Sequence, residues 1–438
     1  MKARLVPVYF ASGRDEAFDR QLARLRELLS EVAEILEPAA LGSRLPEADA
    51  ALFPQLLGDA FRQLGQLKAV GLPLLIITSE FGTVSMWDWE IDAVLKAEGM
   101  KTFAPYTLEL AKKICRSLGV RREMRSTKFL VFQDSPGEGM QADIFKRFYW
   151  WEDQCIELIK KTFGVTVVRK SFKQLAERAK QIPDQEAARA NERWRVKTEG
   201  LSERGLYSAL KLYLAVKEEV ESDPDIQGAG MNCLNESFYS DTTPCLAWNL
   251  LFEESGLIWA CEGDVMTLLS KYLLHRSLQA PVMMSNIYPF LMGMAALKHE
   301  RIQGFPEVPD PEDHLLMAHC GYLGVLPESF STRWKLKPKV LAIVDDNASA
   351  IDARLPEGDI TLCKLHPSLD RIFVAEGQLE GYVQYPGSDC RNGAVVRVRD
   401  GHRFMERLYS HHKLLVQGRR GVEIGFLARV FDLAVDKV

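Results

Sequence analysis

The chain has 438 residues, of which 47% are hydrophobic and 26% charged, an ordinary globular composition with material for two or three domains. A net charge of -5 and a pI near 6.0, with short and scattered basic runs, speak against a general nucleic-acid or polyanion binder. Eight cysteines form no CxxC pair, and no apolar stretch reads as a membrane span or signal peptide, which predicts reduced thiols in the cytoplasm.

In chain order, Leu5–Phe10 reads as a strand, and helical apolar spacing follows from Arg14 to Leu36. Ala48–Phe53 is expected as a strand, Gln55–Val70 as a helix, and Leu72–Thr78 as a continuous buried strand of the parallel type. A loop at Ser79–Thr83 precedes helices at Trp87–Glu98 and Thr102–Leu118, then a strand at Lys128–Gln133. The glycines of the next loop, Gly137 and Gly139, match no phosphate-binding motif and read as turn geometry. After Tyr149, Trp150 and Trp151 the alternation resumes, with a strand at Gly164–Arg169, helices at Ser171–Lys180 and Ser202–Glu221, and the strand end at 227–233. From Lys337 short strands separated by turn residues replace it: Lys339–Val344, Asp359–Lys364, Arg371–Gly377, Gly381–Tyr385 and Ala394–Val398. The pattern predicts two doubly wound α/β domains (1–142 and 143–336) followed by a small β-rich C-terminal domain (337–438), sheet or barrel.

Two acidic strand ends stand out. Glu236 and Glu262 are 26 residues apart, Asp264 follows two later, and a helix from Pro244 to Glu254 lies between. A strand–helix–strand unit brings such carboxylates to one edge of a parallel sheet, where open α/β sheets bind ligands. Clustered carboxylates repel unless a cation lies among them, and hard oxygen donors select Mg²⁺ or Mn²⁺. His411 and His412 sit at an element junction, where alternation lets only one point inward; an imidazole with two carboxylates makes a suitable octahedral site. His319, at a predicted strand end, is a second candidate, whereas His314 and His299 read as surface residues. Glu80 and Trp87, with Asp88 and Trp89, are candidates to line a cleft, although core tryptophans are as common. Surface acids at strand ends are the bland alternative for Glu236 and Glu262.

The segments 231–236, 243–251 and 260–265 resemble the acid-terminated strand, following helix and second acidic strand end of the L-fucose/L-arabinose isomerase superfamily, in particular its fucose-isomerase-like branch. Residues 410–413 and 416–418 resemble its histidine-bearing C-terminal segment. The resemblance implies a divalent metal, Mn²⁺ (or Mg²⁺ or Co²⁺), on Glu236, on Glu262 or Asp264, and on His412. It implies Glu236 and Glu262 as acid/base groups that move a proton between C1 and C2 of an open-chain pentose or 6-deoxyhexose through a cis-enediol. It further implies homotrimers or homohexamers in which Trp87–Glu90 or Tyr149–Trp151 reach a neighbour's cleft, and a small sugar substrate with neither nucleic acid nor membrane as partner.

Two departures are visible. Arabinose isomerases use a second histidine where Ser285–Phe290 has none, so His319 or water would substitute. Fucose isomerases place one acid in the helix that here begins Pro244, Cys245. Three readings follow: an aldose–ketose isomerase; the same fold and metal with an epimerase or lyase reaction on a sugar derivative; and a sugar-binding member without catalysis.

Overall fold

The structure, a computed structural model, describes residues 1–10, 14–56, 59–135, 152–290, 307–319, 326–339, 347–383 and 393–438. Gly137, Gly139, Tyr149–Trp151, His299 and most of the strand expected at Lys339–Val344 lie outside these residues. The chain divides into two compact units. One comprises Met1–Arg125, Arg276–Gln279 and Glu423–Asp432; the other comprises Ser126–His275, Ala280–Val422 and Leu433–Val438.

The first unit is built on parallel strands β1 (Ala3–Tyr9), β2 (Ala33–Ile35), β3 (Ala39–Ala40), β4 (Ala50–Phe53), β5 (Leu74–Ile76) and β6 (Thr102–Phe103). Their order is β2-β1-β4-β5-β6, with β3 also on β1. Val6, Val8, Ala51, Phe53, Leu74 and Ile76 form one buried cluster across the sheet. The helix expected from Arg14 to Leu36 ends at Leu28, and Ala33–Ile35 instead pairs with Ala3–Leu5. Val32, Ile35 and Leu36 fit either period, and the ladder to β1 decides between them. Of the helix expected at Gln55–Val70, Leu64–Lys68 is helical. The helix expected at Thr102–Leu118 begins at Leu108, where the Thr107 side chain accepts from the Leu110 amide, and runs to Glu123; Thr102 and Phe103 are strand.

The C-terminal segment Glu423–Asp432, expected in a third domain, belongs to this first unit. Lys113 pairs with Glu423, and Asp432 is held by Lys101 at 2.7 Å and Arg121 at 2.8 Å.

The second unit contains a parallel sheet of β7 (Lys128–Phe132), β8 (Thr166–Lys170), β9 (Ile226–Met231) and β10 (Ile258–Ala260), in the order β10-β9-β7-β8. The strand at Lys128, read as the end of the first domain, is central to this sheet. Later come β11 (Val282–Pro289), β12 (His314–Ala318), β13 (Arg333–Pro338), β14 (Ser349–Arg354), β15 (Gly358–Leu365), β16 (Arg371–Val383), β17 (Gly393–Val398), β18 (His412–Gln417) and β19 (Ala434–Lys437).

Strands β15-β18-β11-β12-β17-β16 follow one another, and β16 pairs back to β15, closing a barrel; β19 adds to the first half of β16. Closure removes the exposed edges an open sheet would leave. β11 and β12, expected in the second α/β domain, are barrel strands, and β13 and β14 form a separate pair. Arg371–Gly377 and Gly381–Tyr385, expected as two strands, are one strand through Val383 with an irregularity between Leu379 and Gly381. Gly377 marks close packing rather than a turn, since a Cβ there would lie 2.7 Å from the Arg397 carbonyl. The chain is thus a mixed α/β protein with parallel sheets and a C-terminal β-barrel.

Candidate metal centre

Strands β9 and β10 run parallel with Gly230 opposite Ala260, so the segments after them emerge at the same edge. Gly228 permits close packing of β9 against β7 on its other side: a Cβ there would sit 2.7 Å from the Phe129 ring. After β10 the chain makes a tight turn at Cys261–Gly263, in which Glu262 adopts left-handed backbone angles (φ 60°, ψ 17°). A non-glycine residue rarely holds that conformation, and it clusters at functional sites where the surroundings enforce it. The Glu262 amide donates to Cys233 Sγ at 3.4 Å, which ties the second turn to the first. Asp264 then caps the helix Val265–Leu278, accepting from the Thr267 amide at 2.7 Å.

The barrel supplies the imidazoles. Asn286 on β11 lies opposite His412 on one side and opposite Ala318 on the other. His412 and His319, the residue after Ala318, therefore flank one strand at one end of the barrel, with ring centroids 5.6 Å apart.

Glu262, His319 and His412 come together and are buried. One ligand atom from each lies within 4.8 Å of the others. Glu262 Oε1 is 3.5 Å from His412 Nε2 and 3.8 Å from His319 Nδ1. Those separations are slightly wider than the ~3 Å between neighbouring donors of an octahedral ion with bonds of ~2.1 Å. Neither ring nitrogen of His319 has a hydrogen-bond partner among the described residues. A buried imidazole without a hydrogen bond is costly, and a cation would satisfy it. Two imidazoles and one carboxylate suit a divalent transition metal with positions left open.

Behind the cluster, His412 Nδ1–H donates to Asp264 Oδ2 at 2.8 Å. The same oxygen accepts from Lys364 Nζ at 3.0 Å and from Thr267 Oγ1 at 2.6 Å. Lys364 also donates to Ser410 Oγ at 3.0 Å. A carboxylate acceptor requires the proton on Nδ1, which leaves Nε2, 3.5 Å from Glu262 Oε1, as the ring nitrogen that faces the cluster. Burial would raise the Glu262 pKa, but the charges and hydrogen bond of His412 and the charges of His319 and His411 pull it down to about 2. Burial works against the Asp264 carboxylate too, and Lys364 and His412 overcome it, holding its pKa well below the usual range. Burial lowers the His319 pKa, which favours the neutral, ligating imidazole.

The expected ligand set thus meets a different grouping. Glu262 and His412 stand in the cluster. Of Glu262 and Asp264, left open as alternatives, Glu262 stands in the cluster and Asp264 takes the orienting place beside His412. Glu236 is not in the grouping: its carboxylate accepts from the Ser135 amide at 2.7 Å, the Asp134 amide at 3.0 Å and Asn232 Nδ2 at 3.2 Å. Burial raises its pKa against those hydrogen bonds. Of the adjacent histidines His412 is the one turned into the cluster. His411 stacks against it at 4.5 Å between centroids, and burial, with the His412 charge, pushes its pKa down to about 3.

His319, the second candidate imidazole, joins the cluster. His314, read as a surface residue, is buried and makes 2.9 Å contacts to the Asp310 carbonyl and to Glu380. Glu80 is exposed and Trp87 is 58% exposed, both in the first unit. Lys364 and Ser410 were missed, although a lysine inside the apolar strand Ile360–Leu365 was a legible signal. No known protein-family model matches the chain, and no curated protein is significantly similar to it.

Proposed function

We propose that the chain is a divalent-metal enzyme that isomerises an open-chain pentose or 6-deoxyhexose between aldose and ketose. The observation that supports it is the buried group of Glu262, His319 and His412 with Asp264 and Lys364 behind it. Bound there, a divalent cation would supply Lewis-acid polarisation of neighbouring sugar oxygens. Asp264 fixes the His412 tautomer, and Lys364 neutralises Asp264 so that the pair adds little net charge to the site. Glu236, held by two loop amides and with its proton affinity raised by burial, is the residue to carry a proton between C1 and C2.

A second reading keeps the metal and changes the reaction to an epimerase or lyase on a sugar or sugar-acid derivative. It is favoured by the position of Glu236 outside the metal group, where the resemblance implies a ligand. A sugar-binding member without catalysis remains the third. Purified protein loaded with Mn²⁺ and offered a panel of free pentoses and 6-deoxyhexoses separates these. Ketose formation abolished by chelation supports the isomerase; a metal-loaded protein inert on every free aldose rules it out in favour of the second reading. The assembly expected of it, a homotrimer or homohexamer, is measured by light scattering on the same sample.

A further inference from the structure

The first unit carries a basic cleft at the end of its sheet where the strands begin. A cavity of about 260 Å³ is lined by Arg4, Arg121, Arg122 and Arg125, with Glu47 and Asp49 as the acids on its wall among the described residues. Arg4 opens β1, Asp49 immediately precedes β4, and Gly71–Pro73 precede β5. Arg121 and Arg122 close the helix Leu108–Glu123, and Arg125 lies in the turn beyond it. Leu72, Pro73 and Leu118 supply an apolar wall. A second cavity, of about 520 Å³, shares Gly71, Leu72, Pro73 and Arg121 with the first and adds Lys68 and Lys101 together with their partners Glu98 and Asp432.

Part of this charge is already matched. Arg122 pairs with Asp49, Arg121 reaches Asp432 at 2.8 Å, Lys68 reaches Glu98 at 2.5 Å, and Arg4 stands 3.7 Å from Glu34. Arg125 is exposed and has no ion-pair partner among the described residues. Basic residues at a helix C-terminus are ordinary companions of its dipole. Arg4 lies on a different element, however, and the dipole gives no reason for it to face the same cavity. Each guanidinium has five N–H donors, so pairing with one carboxylate leaves donors to spare. Four guanidiniums with donors to spare, one of them on Arg125 without a carboxylate partner among the described residues, around a space bounded on one side by apolar side chains, are the chemistry that takes a phosphate dianion joined to a small organic body.

We infer that this cleft binds a phosphorylated small molecule, its phosphate between Arg4, Arg122 and Arg125 and its organic part against Leu72, Pro73 and Leu118. All of these residues belong to the first unit, whereas the metal ligands belong to the second. The inference therefore stands apart from the proposed reaction.

The test is calorimetric titration of the full chain, with chelator present so that the metal centre plays no part. Inorganic phosphate, glucose 6-phosphate and ATP are the three probes. An organic phosphate should bind with a submillimolar Kd and more tightly than inorganic phosphate; the preference between glucose 6-phosphate and ATP identifies a phosphosugar or a nucleotide. The double variant Arg4→Ala/Arg125→Ala should weaken binding tenfold or more. Arg125→Lys, which keeps the charge and loses the fork, should weaken it less. Arg20→Ala, an exposed arginine on another helix, should leave it unchanged. Absence of binding by all three probes overturns the inference. So does binding that survives the double variant, or that falls equally in Arg20→Ala; circular dichroism of each variant separates lost binding from lost fold.

Discussion

His412 Nδ1 donates its proton to Asp264 Oδ2 across 2.8 Å, joining a barrel strand to the N-terminus of the helix that follows the parallel sheet. The two residues are 148 positions apart in the chain. That bond leaves Nε2 as the imidazole nitrogen that could meet a metal, which predicts that Asp264 influences metal affinity without joining the ligand group. Asp264→Asn should lower Mn²⁺ or Zn²⁺ affinity about 10- to 100-fold, the range for such outer partners. Competition against a fluorescent chelator measures it. An unchanged affinity would mean that the bond plays no part in ligation.

The three-residue grouping predicts a sharp division among the histidines. His319→Ala and His412→Ala should each reduce bound metal from about one ion per chain to a small fraction. His411→Ala should retain it, because His411 stacks on the cluster without belonging to it. Elemental analysis of dialysed protein reads the outcome. Equal loss in all three variants would show that the effect is general damage to the barrel end.

Glu236→Gln separates the metal from the chemistry. The amide keeps the shape and removes the proton carrier, so metal content should stay within about twofold of the parent. Turnover of the identified sugar should fall by about 10²–10⁴, the usual contribution of a positioned acid/base. Loss of metal in this variant would return Glu236 to the ligand set and require the loop amides of Asp134 and Ser135 to release it.

Lys271 gives a pH-dependent stability test away from the ligands. Its ammonium is buried, lies 3.1 Å from the Trp259 ring centroid, and has no hydrogen-bond partner among the described residues. Burial, against the opposing charge of Cys261, pushes its pKa down to about 7. The folded value is below the unfolded one, ~10.4. The unfolded chain therefore holds the extra proton between those values. This group's stabilising contribution is complete above the unfolded pKa and is lost as pH falls through about 7. Lys271→Met should thus raise the melting temperature at pH 6 by an amount equivalent to roughly 2 kcal/mol or more, with a smaller gain at pH 10. A gain independent of pH would show that the ammonium is not desolvated.

Gly393 on β17 lies opposite Ala318, the residue before His319. A Cβ at this glycine would fall 2.1 Å from the Met317 carbonyl oxygen, so the two strands cannot keep their spacing around an alanine. Gly393→Ala should destabilise the protein by ~2–4 kcal/mol and weaken metal binding through the displaced His319. Denaturant unfolding and metal titration of the same sample test both parts.

Much of the architecture was written in local pattern. The apolar run at Leu72–Thr78 and the acid-terminated strands at 227–233 and 256–261 are parallel-sheet strands because both of their faces are buried, and continuous apolar sequence records that directly. Glu262 was legible as an acid that ends such a run, and His411 and His412 as adjacent imidazoles at an element junction of which one points inward. The identity of the partners was not legible. His319 and His412 meet because β11 pairs with a strand on each side, and long-range pairing leaves no trace in the spacing of either segment. Asp264 and Glu262 are two residues apart with the same chemistry, and the left-handed turn at Glu262 puts its carboxylate between His319 and His412 Nε2, while Asp264 caps a helix and meets the Nδ1 side of His412. The return of Glu423–Asp432 to the first unit was equally invisible, since a helix's apolar face says that it is covered and not by what. Composition and period determined the elements and the acids and imidazoles that end them. Strand register, barrel closure and the backbone angle of one glutamate decided which of those groups share a site, because contact between distant segments is set by how whole faces pack.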